Sequence, residues 1–250
     1  MGGGVNTKIN SPLSFGFGEN LVLDRYANYS TVFGRKNTAN NVFSTIFGQN
    51  NTVSNAYSTI FGTGNTTNGA YSTIFGVDNI IAKDTMYSTI FGNKNTANKS
   101  YSIVFGNYNT TENTHSVIFG DDNITDQPYQ FLLGQYAATT QEYSESLSAI
   151  TKKLLFAIGR GDKEKRTNIF DISEDGTGYF SGGLEVTKKS ALRDKVTIGE
   201  DTGDHEVALE VLKHSQFDEQ VHISRDKNEN ITFNDSLWND GSFPHNSLWN

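Results

Sequence analysis

An apolar pair followed by glycine recurs along the first half of this chain at a fixed interval. It appears as Val32-Phe33-Gly34, Ile46-Phe47-Gly48, Ile60-Phe61-Gly62, Ile74-Phe75-Gly76, Ile90-Phe91-Gly92, Val104-Phe105-Gly106, Ile118-Phe119-Gly120 and Leu132-Leu133-Gly134. The glycines stand 14 residues apart except once, where 16 residues separate Gly76 from Gly92. One coil therefore carries a two-residue insertion, within Val77 to Met86. The full unit is G-x-x-N-[TI], a variable polar stretch, then [YF]-S-T-[IV]-F-G, as in Gly48-Gln49-Asn50-Asn51-Thr52 leading to Tyr57-Ser58-Thr59-Ile60-Phe61-Gly62. Tyr, Thr, Ile, Val and Phe suit a pleated surface, and Gly and Asn supply the positive-φ positions of a tight corner. Such a unit is too short for two helices or a propeller blade and fits one coil of an all-β, parallel β-solenoid. With strands ~4.8 Å apart, seven coil-to-coil steps give a rod on the order of 35 Å long.

Side chains alternate across a strand, so the Ile/Val column and the Phe column face opposite ways. One of the two fills the interior. The other, either Phe33, Phe47, Phe61, Phe75, Phe91, Phe105 and Phe119 or their Ile/Val neighbours, is a ladder larger than the apolar patch a soluble monomer normally exposes. The simplest cover is another copy of the chain packed in parallel about a rotation axis. The alternative is a monomer that buries both columns, through a bend in the coil or a C-terminal region folded back over it.

Ser-Thr-Ile-Phe-Gly followed by x-x-Asn-Thr resembles the S-x-A-[IV]-G-x-x-[SN] unit of the head repeats of trimeric autotransporter adhesins, over about residues 29 to 134. The resemblance implies a left-handed β-roll and a parallel homotrimer, with Phe where those adhesins use smaller aliphatics. A second stretch is similar to a segment common in phage and prophage tail proteins: Leu154-Leu155-Phe156-Ala157-Ile158-Gly159-Arg160-Gly161, Arg166-Thr167-Asn168-Ile169-Phe170, and Asp175-Gly176-Thr177-Gly178-Tyr179-Phe180 continuing to Val186. That likeness implies a virion tail-fibre component. The residues themselves predict a hairpin here, with Asn168 to Ser173 alternating, Glu174-Asp175-Gly176 turning, and β character resuming from Gly178. An adhesin is expected to add a coiled-coil stalk and a membrane barrel, and this chain contains neither pattern.

Charge divides the chain. Residues 1 to 135 hold only 15 of the 48 charged side chains, whereas 20 of the 27 Asn lie at or before Asn123. The expected organisation is a lead-in over 1–28, the roll over 29–135, a connector and hairpin segment over 136–186, and a β-rich tip or stalk over 187–250. Residues 137 to 153 are the one stretch with any helical character. At the end, Ser-Leu-Trp-Asn occurs twice, making Trp238, Phe243 and Trp249 candidate tip contacts with a sugar or a protein partner; sealing the base of the oligomer is the structural alternative.

Several chemistries are not expected. With no Cys there is neither a disulfide framework nor a thiolate site. The formal charge of -8 opposes a phosphate-bound nucleic acid, and no apolar run reaches membrane-spanning length. Of the histidines, His115 replaces Tyr in a repeat, and His205, His214, His222 and His245 show no ligand spacing; no metal or other cofactor is expected. Asp78, Asp84, Asp121, Asp122 and Asp126 are solvated turn residues on this reading, not a glycosidase pair. Arg160-Gly161-Asp162 spells an adhesion tripeptide but follows a strand as a turn would, and the sequons at Asn50 and Asn109 arise from an Asn/Thr-rich repeat.

The expected function is a structural and receptor-recognition component of a phage tail fibre. It is non-catalytic and homotrimeric, contacts other tail components, and binds a host cell-surface glycan or protein. The second reading is the head of a trimeric adhesin on the bacterial surface. A third is an ice-binding solenoid, from the column Thr31, Thr45, Thr59, Thr73 and Thr89, although Ile103 and Val117 interrupt it.

Overall fold

A computed structural model of the chain describes residues 2–145 and 148–181, all within one compact unit, Met1–Ser190. It is all-β, with no helix among the described residues. Each coil contributes one long strand to the first sheet and one two-residue strand to the second, so the chain is a parallel β-solenoid. The long strands run Phe15–Glu19, Thr31–Arg35, Thr45–Gln49, Thr59–Thr63, Thr73–Val77, Thr89–Asn93, Ile103–Asn107, Val117–Asp121 and Phe131–Gln135. Each pairs in parallel with the next at the repeat register, Ile60 beside Ile74 and Gly62 beside Gly76. The short strands, such as Thr52–Val53 and Thr66–Thr67, pair the same way.

The core is one column wide. Val32, Ile46, Ile60, Ile74, Ile90, Val104, Ile118 and Leu132 are fully buried, facing Leu23, Ala39, Val53, Ile81 and Ala97 of the short sheet. The alternation thus resolves in favour of Ile/Val inside and Phe outside. A monomer that buries both columns is not what the described residues show.

The stack begins well before residue 29. Gly2–Gly3 pairs with the strand at Phe15, which pairs with Thr31–Arg35. The missing signal has a physical cause: Gly16 occupies the core position beside Val32, so the apolar pair is absent. Side chains of Leu23 and Ile9 fill the space, lying 3.1 and 3.3 Å from where a Cβ on Gly16 would sit. The coil between Gly18 and Gly34 also has 16 residues. The later insertion falls between Ile81 and Tyr87, because both strands before it keep the 14-residue register with the preceding coil. Among the described residues eleven parallel rungs replace the expected eight, a stack on the order of 50 Å long.

The expected helical character of 137–153 is overturned. Thr140–Glu145 and Ser148–Arg160 form an antiparallel pair, Thr140 opposite Lys153 and Tyr143 opposite Ile150. The second strand then enters the stack in parallel, Phe131 beside Phe156 and Gly134 beside Gly159. Thr, Tyr and Ile at these positions favour a strand. Asn168–Ser173 lies antiparallel on this last rung, and Gly178–Phe180 pairs with it, Phe170 opposite Phe180. The hairpin read from the sequence is present as far as it is described, and it ends the parallel stacking of the long sheet. The expected 187–250 region lies outside the described residues.

Candidate functional site

The outward side of the long sheet is built by the alternation itself. In the strand Thr59–Thr63, Ile60 points in while Thr59 and Phe61 point out. Tyr57 stands two residues earlier at the corner, 47% exposed. Repetition turns these three positions into parallel columns of Tyr, Thr and Phe along the rod.

Register then forces ring stacking. The Phe rings from Phe33 to Phe119 follow one another at 4.7 to 5.0 Å between centroids, with interplanar angles of 1 to 9°. That spacing is the strand separation of the sheet itself. Phe47 and Phe61 are each 36% exposed and Phe119 40%. A second column runs Tyr29, Phe43, Tyr57, Tyr71, Tyr87, Tyr101, His115 and Tyr129, with centroids 4.6 to 5.3 Å apart. Since stacked rings cover one another's faces, both columns present ring edges outward. The half-buried Thr column lies between them, flanked in one coil by Tyr57 and Phe61.

The repeat glycines take positive φ as expected, as at Gly62 (φ 141), and so does Asn50 (φ 55), but the left-handed positions extend beyond Gly and Asn. The aromatic column residues themselves take left-handed backbone, from φ 53 at Phe43 to φ 63 at Tyr129. The other corner uses Lys36, Asn50, Asp78, Lys94 and Asp122 alike. Non-glycine residues there are uncommon, and coil-to-coil bonds hold them: the Tyr71 amide donates to the Ala56 carbonyl at 3.1 Å and the Tyr87 amide to that of Ala70 at 3.2 Å.

The repeat Asn has another role, which the sequence reading missed. Asn37, Asn51, Asn65, Asn79, Asn95, Asn109 and Asn123 are fully buried. Each side chain donates to the glycine carbonyl of the following coil, as Asn51 does to Gly62 at 2.6 Å. From Asn51 to Asn109 each also bonds its counterparts above and below; the ladder starts at Asn37, whose side-chain amide donates instead to the Phe33 carbonyl at 2.8 Å, and ends where the Ala137 amide donates to Asn123 Oδ1 at 2.8 Å. One Asn at the same offset in every coil was the available signal, read only as turn chemistry.

The remaining predicted residues are placed by local bonding. Asp162 Oδ1 accepts the amides of Glu164 and Lys165 at 3.0 and 2.8 Å, and Gly161 is buried, so Arg160-Gly161-Asp162 forms a turn. The Asn109 sequon lies inside the buried ladder. Asp121 accepts both the amide and the side chain of Asn107. Asp126 accepts from Gln130 at 3.2 Å and from the Thr139 hydroxyl at 2.8 Å, while Asp78, Asp84 and Asp122 occupy left-handed turn positions. His115 is stacked between Tyr101 and Tyr129. No cluster of metal-ligating side chains occurs among the described residues. Trp238, Phe243, Trp249, His205, His214, His222 and His245 lie outside the described residues.

The family described as nucleoporin FG repeat region matches over residues 10–102 and again over 55–157. Together the two matches take in more than half of the chain. No curated protein matches the chain.

Proposed function

Because the chain belongs to the family described as nucleoporin FG repeat region, and its Phe-Gly pairs stand on a rigid β-solenoid, we propose that it is a non-catalytic structural and recognition protein whose Phe column is a subunit contact. The family description names a repeat, and the coil accounts for that repeat physically. Phe faces out to be covered, and Gly stands where a side chain would strike the carbonyl of the next coil.

The observation that carries the reading is the outward, unbroken ladder from Phe33 to Phe119. Nine five-residue strands span about 43 Å by 16 Å, a flat footprint of roughly 700 Å². A stable contact buries about 800 Å² per partner, so side-chain relief brings this face to the required size. Parallel copies packed about a three-fold axis would cover it by a head-to-tail contact that closes on itself. The setting we propose is the one the sequence resemblance implies, a phage tail fibre or tail-associated component. Three equivalent sites on a rigid rod would then add avidity for a host-surface glycan or protein.

The test is the mass of the full chain in solution by light scattering, beside the triple variant Phe61→Ser/Phe75→Ser/Phe91→Ser. A trimer that falls to a monomer in the variant is expected, and a monomeric wild type refutes the subunit contact. Absence of the chain from purified particles refutes the tail-fibre setting.

A further inference from the structure

The second aromatic column contains an uninterrupted run of four tyrosines. Tyr57 and Tyr71 stack at 4.8 Å with 3° between ring planes, Tyr71 and Tyr87 at 5.0 Å and 17°, and Tyr87 and Tyr101 at 5.3 Å and 17°. Their exposures are 47, 47, 48 and 47%, so each phenol reaches solvent while its ring lies against the next. The amides of Tyr71, Tyr87 and Tyr101 donate to carbonyls of the preceding coil, at 3.1, 3.2 and 2.9 Å, which fixes the spacing from the backbone up. Phe43 and His115 interrupt the tyrosines on either side. The chain has no Cys, so no disulfide can join one coil to another.

We propose that Tyr57, Tyr71, Tyr87 and Tyr101 form an oxidative cross-linking site, at which adjacent coils become joined by dityrosine bonds. The oxidant is hydrogen peroxide acting through a haem peroxidase. Each phenol gives up one electron and its hydroxyl proton, leaving a phenoxyl radical whose spin is shared with the ring carbons ortho to oxygen. Two radicals on stacked neighbours join Cε to Cε. The hydrogen on each joined carbon then moves to the oxygen of its ring, restoring both aromatic rings and both hydroxyls. In sum two tyrosines lose two electrons and two protons, and one peroxide takes these up as two waters. The stack brings the ortho carbons alongside one another, and a tilt of each exposed ring about its Cα–Cβ bond closes the remaining gap. The product is a rod whose coils are stapled along one edge.

The experiment treats the dilute full chain with peroxidase and peroxide, then follows dityrosine fluorescence and maps the linked peptides. Links of Tyr57 to Tyr71, Tyr71 to Tyr87 or Tyr87 to Tyr101 within one chain are expected. They should be lost when the chain is first unfolded in urea. The variant Tyr71→Phe/Tyr87→Phe leaves no neighbouring tyrosines in the column but keeps a ring on every rung, as Phe43 does natively, and it should lose these links while retaining its circular-dichroism spectrum. Links confined to Tyr26, Tyr108 or Tyr179, links only between chains, or the same map from folded and urea-unfolded wild type would overturn the proposal. The unfolded control decides the matter even if the variant does not fold.

Discussion

The side-chain amide of Asn65 donates to the carbonyl oxygen of Gly76, eleven residues on and one coil away, at 2.6 Å. The same amide donates to Asn51 Oδ1 at 3.1 Å, and its own Oδ1 accepts the backbone and side-chain N–H of Asn79, both at 3.0 Å. Every donor and acceptor of this buried side chain is used, which a polar column in a dry core requires.

Asn65→Ala should therefore be costly out of proportion to its size. It leaves the Gly76 carbonyl and the Asn79 N–H groups without their partner. At about 1 to 3 kcal/mol for each of these three buried groups left unsatisfied, the loss is at least about 3 kcal/mol. A urea titration followed by circular dichroism measures it, and a change below about 1 kcal/mol would mean that water replaces the ladder.

Glycine substitutions should separate space from backbone strain. At Gly62, φ is +141° and a Cβ would overlap the Gly76 carbonyl oxygen. Gly62→Ala therefore forces two coils apart and should cost more than about 3 kcal/mol. At Gly176, φ is +84° but nothing lies within 4 Å. Gly176→Ala bears only the left-handed strain, about 1 kcal/mol. Thermal unfolding of the two variants side by side gives the contrast.

Neighbouring residues on one strand should behave differently. Ile60 is fully buried and Phe61 is 36% exposed. Ile60→Ala opens a void in a core one column wide and should cost about 2 to 5 kcal/mol. Phe61→Ser, under conditions where the chain is monomeric, loses its two ring contacts, about 1 to 3 kcal/mol. Equal losses would contradict the assignment of inside and outside.

Tyr136 offers a pH test. The neighbouring Asp122 carboxylate, with some loss of hydration, raises its ionisation above the ordinary 10.0. A folded-state pKa above the unfolded one means that the folded chain holds the proton longer. The stabilisation is thus whole below pH about 10 and is lost as the pH rises through the folded pKa. Spectrophotometric titration should show Tyr136 ionising above the ordinary value, and Asp122→Asn, tolerated at φ 54°, should lower its ionisation.

The recurrence of Ile-Phe-Gly determined a great deal without any coordinates. Its period demands a coil, and its strand residues demand parallel stacking. Adjacent Ile and Phe must face opposite ways whatever the fold. Which of them enters the core was decided only by the closed cross-section: the space facing Leu23, Ala39 and Val53 takes an aliphatic side chain, and Phe is left outside. The first coils escaped the pattern because Gly16 holds a core position whose volume comes from Leu23 and Ile9, seven residues away on either side and brought over it only by the folded coil. The strand Ser148–Arg160 likewise depends on a pairing that local propensity does not contain, its parallel seat on Phe131–Gln135, with Phe131 beside Phe156.

For the surface, composition foretold aromatic residues but not their arrangement. Tyr57 and Phe61 are ordinary members of a repeat until register sets each ring on its copy in the next coil. The repeat Asn could be a turn residue or a ladder residue from its type alone. Only the stacked structure, which brings a glycine carbonyl of the next coil to within 2.6 Å of Asn65, makes it the latter, because a buried amide must find partners and the neighbouring coil alone supplies them all.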